Sequence, residues 1–334
     1  MKKILVLGGT GAMGVYLVPK LLERGYAVDV ASLDEVSSDT PNLRYITGDC
    51  MNIDYVSNLL KNGYDGIVDF MIYTGDGFDK RYEMFLDNTD HYIYLSSYRI
   101  YANEEHPIKE TSPRLLEASK DEDFLKTDDY ALYKARGEDI LLNSKYTNWT
   151  AIRPAITYSK RRFQLVTLEA PHVVGRALRG EKVLLPKQAK DKQATMSWAG
   201  DVAEMIARLL FNDKAYREIF SVSTSEHMTW GEVADIYNKL IGLEAVWIDM
   251  EEFLAIVSDG AKNPGAYRYQ LIYDRLFDRI MDNSKVLEAT GLKQSDLSTL
   301  YDGLKRELEG VDADTFFVPR TGALMNEYLK EKGL

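Results

Sequence analysis

The chain has 334 residues, 45% hydrophobic and 28% charged, which supports a large packed core and excludes a disordered chain. Its 41 basic and 52 acidic side chains give a formal charge of −11, so nucleic acid would need a local basic patch within an unfavourable field. No apolar run approaches the ~20 residues that cross a bilayer, and the run after Lys2-Lys3 ends at Leu7, too short for a signal peptide.

A single cysteine, Cys50, rules out an internal disulfide and points to a reducing cytoplasm as the expected compartment. The first 155 residues alternate short β-rich runs with helical patterns, as parallel strands joined by helical crossovers do. In chain order, strands are expected at 4–7, 27–31, 43–46, 66–72, 92–95 and 150–153, with helices at 12–24, 53–61, 79–88 and 130–144. The early strands are almost wholly apolar, so helices should cover both faces of the sheet. Beyond Pro154 the pattern loosens into helices at 169–180, 201–212, 230–241 and 296–309, with strands near 182–185 and 218–222. Thr229-Trp230-Gly231-Glu232 has the spacing of a capping box, and 187–193 reads as a polar loop.

The first strand runs straight into Gly8-Gly9-Thr10-Gly11-Ala12-Met13-Gly14 and then a helix. Glycine suits a sharp turn whose backbone must approach a pyrophosphate closely. The helix start, from Gly11 through Ala12 and Met13 to Gly14, offers unpaired N–H groups and the positive end of the dipole. Gly9, Gly11 and Gly14 also satisfy the G-x-G-x-x-G form, so spacing leaves the subtype open. At the end of the second strand, Ser32-Leu33-Asp34-Glu35 holds no cation. A carboxylate there hydrogen-bonds a ribose 2′-hydroxyl, which favours NAD over NADP, with Asp34 the acid and Ser32 its neighbour.

Four Tyr-x-x-x-Lys pairs occur: Tyr16/Lys20, Tyr130/Lys134, Tyr301/Lys305 and Tyr328/Lys332. Only Tyr130 has a serine pair, Ser96-Ser97, upstream at a strand end and a helix running into the strand before Arg153-Pro154. Residues four apart share a helix face, so the Lys134 ammonium can stabilise a Tyr130 phenolate. A metal site is not expected, because the four histidines form no cluster with ligand spacing.

Gly8-x-x-Gly11-x-x-Gly14, Ser96-Ser97, Tyr130-x-x-x-Lys134 and Arg153-Pro154 occur in the order that resembles the extended short-chain dehydrogenase/reductase family of nucleotide-sugar epimerases and dehydratases. The likeness covers about the first 225 residues, including Trp198-Ala199-Gly200-Asp201-Val202-Ala203. It implies a doubly wound Rossmann-type parallel sheet, an α/β fold with a smaller C-terminal α/β substrate lobe. The NAD(P)-binding domain would be 1–155 plus 197–225, and the lobe 156–196 plus 226–334. It further implies that Tyr130 is the acid/base, with Lys134 and Ser97 beside it, acting on a carbinol or ketone of a sugar nucleotide or related sugar derivative. Asp49 would contact the adenine, while Tyr73 and Thr74 would line the cofactor ribose. The alternative is a non-catalytic NAD(P)-binding regulatory or RNA-binding protein on the same fold.

Two departures stand out. Only 18 residues separate Tyr73 from Tyr92, a short connection that resembles a subgroup related to chloroplast stem-loop-binding proteins and omits a helix usual at the family's dimer interface. Where many nucleotide-sugar enzymes carry a phosphate-gripping arginine, seven residues before Asp201, this chain has Ala194, leaving Lys187, Lys190 or Lys192 as substitutes. The aromatic stretch Ala266–Tyr273 is expected to pack as core before it lines a sugar pocket.

Overall fold

The computed structural model describes residues 1–260 and 265–334, and the chain divides into two compact units. The first comprises Met1–Thr157, Ser197–Ser225 and Met281–Ser298; the second comprises Tyr158–Met196, Glu226–Ile280 and Thr299–Leu334. Among the described residues no helix is long and apolar enough to cross a membrane.

In the first unit, seven strands form a wholly parallel sheet: β1 (Lys3–Leu7), β2 (Ala27–Ser32), β3 (Leu43–Thr47), β4 (Gly66–Asp69), β5 (His91–Leu95), β6 (Trp149–Ile152) and β7 (Glu218–Phe220). Their spatial order is β7-β6-β5-β4-β1-β2-β3, the doubly wound Rossmann-type arrangement, with the direction of winding reversing between β1 and β4. Strand alternation assigns the two cores. Ile4 and Val6 join one cluster with Leu17, Val28, Ile93 and Ile206, while Leu5 and Leu7 join the other with Val56, Ile67, Tyr92 and Tyr94. The crossovers relevant to the site are α1 (Gly14–Glu23), α2 (Ile53–Leu60), the short α3 (Tyr82–Leu86), α4 (Tyr130–Asn143) and α5 (Ala199–Leu209).

Several boundaries differ from the sequence reading. β4 stops at Asp69 and not at 72, because the Asp69 carboxylate turns back to accept the Met71 N–H at 2.9 Å. The expected helix at 79–88 shrinks to five residues in the short connection. Residues 281–298, assigned from sequence to the lobe, pack in the first unit because Val286 and Leu297 complete its core.

The second unit carries a parallel strand pair, Val183–Pro186 beside Ala245–Ile248, and helices at Trp230–Ile241, Met250–Val257, Leu300–Leu308 and Arg320–Lys332. The capping box at Thr229 and Glu232 is formed. Expected helix 169–180 instead opens with a π-helical turn, Pro171–Gly175. The aromatic stretch is helical, with Tyr267 half exposed and Leu271 buried. Of the three lysines considered as phosphate substitutes, Lys187 lies 3.3 Å from Asp249 and Lys192 3.6 Å from Asp278, while Lys190 sits over the Trp247 ring.

One buried histidine makes folding of the first unit sensitive to pH. His91 Nδ1 accepts the Phe211 N–H at 2.8 Å, and Nε2 lies 2.8 Å from Thr150 Oγ1, so the neutral ring joins β5, β6 and the end of α5. Burial pushes its pKa from 6.5 down to about 4. The unfolded chain therefore binds the extra proton first, and stability present above pH 6.5 is lost as pH falls toward 4. Urea unfolding of this unit should lose about 2 kcal/mol from this residue between pH 7 and pH 5. His91→Gln should flatten that slope; an unchanged slope would contradict the assignment.

Candidate active site

The glycine turn lies at the carboxyl edge of the sheet, between β1 and α1. Gly8 adopts φ +71°, and its N–H donates to Ala31 O at 2.8 Å, which bends the chain sharply out of β1. A Cβ on Gly14 would lie 2.2 Å from Gly9 O, and a Cβ on Gly9 would lie 2.8 Å from the side chains of Val6 and Val30. Gly9 was not assigned a site role from sequence, yet its packing is as demanding as that of Gly14. Gly11 N–H donates to Gly8 O at 3.1 Å, closing the turn. α1 then starts at Gly14 without a side-chain cap on Met13, so its first N–H groups, including those about Ala12 and Met13, stay available for an anion.

The end of β2 brings Ser32 and Asp34 together: Ser32 Oγ accepts the Asp34 N–H at 3.2 Å, and the Asp34 carboxylate is exposed. Leu33 is 73% exposed and Ile72 49%, apolar side chains that follow the two strands flanking β1. Asp49 is exposed, with its carboxylate accepting the Met51 N–H at 2.8 Å in a turn. Thr74 is exposed as well. Tyr73 departs from the expected ribose contact: its side chain is buried and its hydroxyl donates to Asp69 Oδ2 at 2.9 Å, leaving only backbone for a ligand.

The helix α4 carries the chemistry. Asp129 caps it by accepting the Ala131 N–H at 2.9 Å, placing Tyr130 at its first position, half-buried. Lys134, one turn on, is completely buried, donates to Leu95 O at 2.5 Å, and holds its ammonium 5.8 Å from the Tyr130 ring centroid and 5.2 Å from that of Tyr94. Burial pulls the Lys134 pKa down to about 8 against the pull of Asp69 and Glu138, so the ammonium persists at neutral pH. Leu95 ends β5, so the bond to its carbonyl ties Lys134 to the strand that leads into Ser96 and Ser97.

Ser97 Oγ accepts the Arg99 N–H at 3.2 Å, and the Arg99 guanidinium lies 5.1 Å from the Tyr130 ring centroid. The structure thus joins Ser97, Tyr130 and Lys134 around one stretch of backbone. Ser96 is wholly buried, and its hydroxyl finds no partner among the described residues.

Three features of the site were not anticipated. Asp69 ends β4 in register with Leu7 and Tyr94 and accepts the hydroxyls of Tyr73 and Tyr92, the latter at 2.7 Å. Burial pushes its pKa up despite these donors. The sequence signal was present: an acid at the end of an otherwise apolar run, Gly66-Ile67-Val68. Arg99 had no such signal. Glu138, on α4, accepts from Arg153 Nε at 2.8 Å and Nη2 at 2.7 Å, and Arg153 Nη1 also donates to Tyr101 Oη at 2.7 Å and Glu110 O at 2.9 Å. Arg153 therefore anchors α4 as well as neighbouring loops.

Residues 4–88 match the model of the NAD dependent epimerase/dehydratase family. A chloroplast stem-loop binding protein of 41 kDa from Arabidopsis thaliana is 26% identical over 271 residues, 75% of this chain and 67% of its own length. Among solved structures, the fold is similar to an epimerase from Methanothermobacter thermautotrophicus (TM-score 0.71, 14% identity, 98% of this chain and 94% of that one). It is also similar to UDP-glucose 4-epimerase from Thermus thermophilus in complex with NAD (TM-score 0.67, 18% identity, 92% and 99%).

Proposed function

We propose that this chain, similar to the NAD-dependent epimerases and dehydratases in sequence and fold, binds NAD and acts on a carbinol or ketone of a sugar nucleotide or related sugar derivative, with Tyr130 as acid/base. One observation carries the reading: a half-buried phenol opens a helix whose next turn holds a fully buried ammonium against the same ring.

The glycine turn fits a dinucleotide. The Gly9–Gly14 approach leaves no room for side chains, the uncapped start of α1 offers N–H donors to a pyrophosphate, and Leu33 and Ile72 offer apolar surface for an adenine. NAD, when bound, supplies the hydride acceptor. Tyr130 takes the proton of the substrate hydroxyl and returns it; Lys134 stabilises the phenolate; Ser97 hydrogen-bonds the same substrate oxygen. The second unit is assigned recognition of the rest of the substrate. The likeness in fold to a UDP-glucose 4-epimerase supports a sugar-nucleotide substrate class, and the epimerase, dehydratase and reductase outcomes are separated by product analysis.

The test is calorimetric titration with NAD⁺ and NADP⁺, followed by turnover on a panel of nucleotide sugars. The carboxylate of Asp34 and the absence of a cation at the end of β2 predict NAD⁺ binding at least about tenfold tighter, roughly 1.4 kcal/mol. Equal or tighter NADP⁺ binding would overturn the cofactor choice, and binding of neither would overturn the whole reading.

The plant relative's name, a stem-loop binding protein, favours the RNA-binding alternative as the second reading only through a nucleic-acid stem-loop. The formal charge of −11 opposes it. Salt-dependent, submicromolar binding in a gel-shift titration would reverse this ranking. Cys50 is buried, and its thiol is pushed up to about 12 by that burial.

A further inference from the structure

Two cations lie against one phenol. Arg99 sits in the single 3₁₀ turn Tyr98–Ile100 that follows Ser97, and its side chain is 14% exposed. Its guanidinium is 5.1 Å from the Tyr130 ring centroid, closer than the Lys134 ammonium at 5.8 Å. Arg99 Nη2 also lies 3.6 Å from Oδ1 of Asp129, the cap of α4, whose side chain is 5% exposed.

We propose that Arg99 is a positioning residue for Tyr130, supplying a second cation that stabilises the ionised phenol and cancels the adjacent Asp129 charge. This rests on the acid/base reading of Tyr130. A carboxylate one residue before a phenol disfavours phenolate, and Asp129 cannot be dispensed with because it caps α4. A guanidinium bound to that carboxylate and laid over the ring face reverses the local field, through both charge and the ring quadrupole.

Among the described residues, the other groups near the ring do not duplicate this effect. From α4 itself come Lys134 and Tyr133, the latter 5.4 Å away edge-on. Before the helix, Asp128 is engaged by the Gly75 N–H at 2.8 Å and lies 3.8 Å from Arg136. From β5, Tyr94 is neutral, pushed up by burial, as is Tyr133. Lys134 sits among the carboxylates of Asp69 and Glu138, whereas Arg99 is the cation paired with Asp129 beside the phenol.

The experiment is a ¹³C-tyrosine titration of the full chain, with the Tyr130 resonance assigned by its loss in Tyr130→Phe. Arg99→Met should raise the Tyr130 titration midpoint by about one pH unit, a tenfold change in phenolate fraction at fixed pH. Arg99→Lys should restore part of the shift. Asp129→Asn, which keeps a capping side chain, should lower the midpoint and serves if Arg99→Met does not fold. With an active substrate in hand, the acid limb of the pH–rate profile should move with the midpoint.

A midpoint unmoved by Arg99→Met, or unmoved by Asp129→Asn, would overturn the proposal. So would a raised KM with an unmoved midpoint, which would assign Arg99 to gripping an anionic substrate. Because the titration needs no turnover, its failure is distinct from failure of the acid/base reading, which a fully active Tyr130→Phe would show.

Discussion

Tyr130→Phe should lower turnover by roughly 10²–10⁴-fold while leaving NAD affinity nearly unchanged. The substitution removes one hydroxyl from a half-buried ring and disturbs neither the cap at Asp129 nor the bond from Lys134 to Leu95 O. The lost function is proton transfer, so kcat should fall more than KM rises. Lys134→Met should lose activity too, but it also empties a buried ammonium from between the Tyr94 and Tyr130 rings. Its effect therefore mixes electrostatics with packing, and Tyr130→Phe is the cleaner variant. Undiminished turnover in that variant, measured on whichever nucleotide sugar the wild type converts, would remove Tyr130 from the mechanism.

The second large effect concerns stability. Arg153→Met should cost about 3–5 kcal/mol, because it leaves the carboxylate of Glu138 buried without its bidentate partner. Arg114, 3.5 Å from the same carboxylate, offsets only part of this. The loss should exceed that from removing both charges together: Arg153→Met with Glu138→Leu leaves no stranded ion, and similar apolar volume often stands in for a buried pair. Chemical denaturation of the four proteins of this cycle checks the claim. A single-variant loss below about 1 kcal/mol would mean the pair behaves like an exposed ion pair. Glu138 lies one turn beyond Lys134 on α4, so loosening this anchor should also reduce kcat by displacing the phenol and the ammonium together.

The parallel sheet was legible because apolar β-rich runs and crossover helices repeat with distinct periods over the first 155 residues. The glycine turn was legible because its context, strand then helix, is local in the chain. Tyr130 was selected from four equivalent pairs by order along the chain, and the structure places Lys134 beneath it. What remained hidden depends on contacts between distant residues. Arg99 reads as an ordinary surface arginine until folding brings it over a ring 31 positions later in the chain. Tyr73 reads as a cofactor contact by position, but in the irregular segment after β4 its hydroxyl turns inward to donate to Asp69. Residues 281–298 carry too few apolar residues to announce that they return to the first unit, and only the packing of Val286 and Leu297 reveals it.

The central claim is that the phenol of Tyr130 and the ammonium of Lys134 stand beside the reactive face of a dinucleotide seated on the turn from Gly8 to Gly14. A crystal structure of the NAD complex tests it most directly. The expected result is the pyrophosphate at the start of α1, and Tyr130 Oη facing C4 across the space for a substrate oxygen, with Lys134 still bonded to Leu95 O. A nicotinamide ring placed away from Tyr130, or a pyrophosphate bound elsewhere than at this turn, would contradict it.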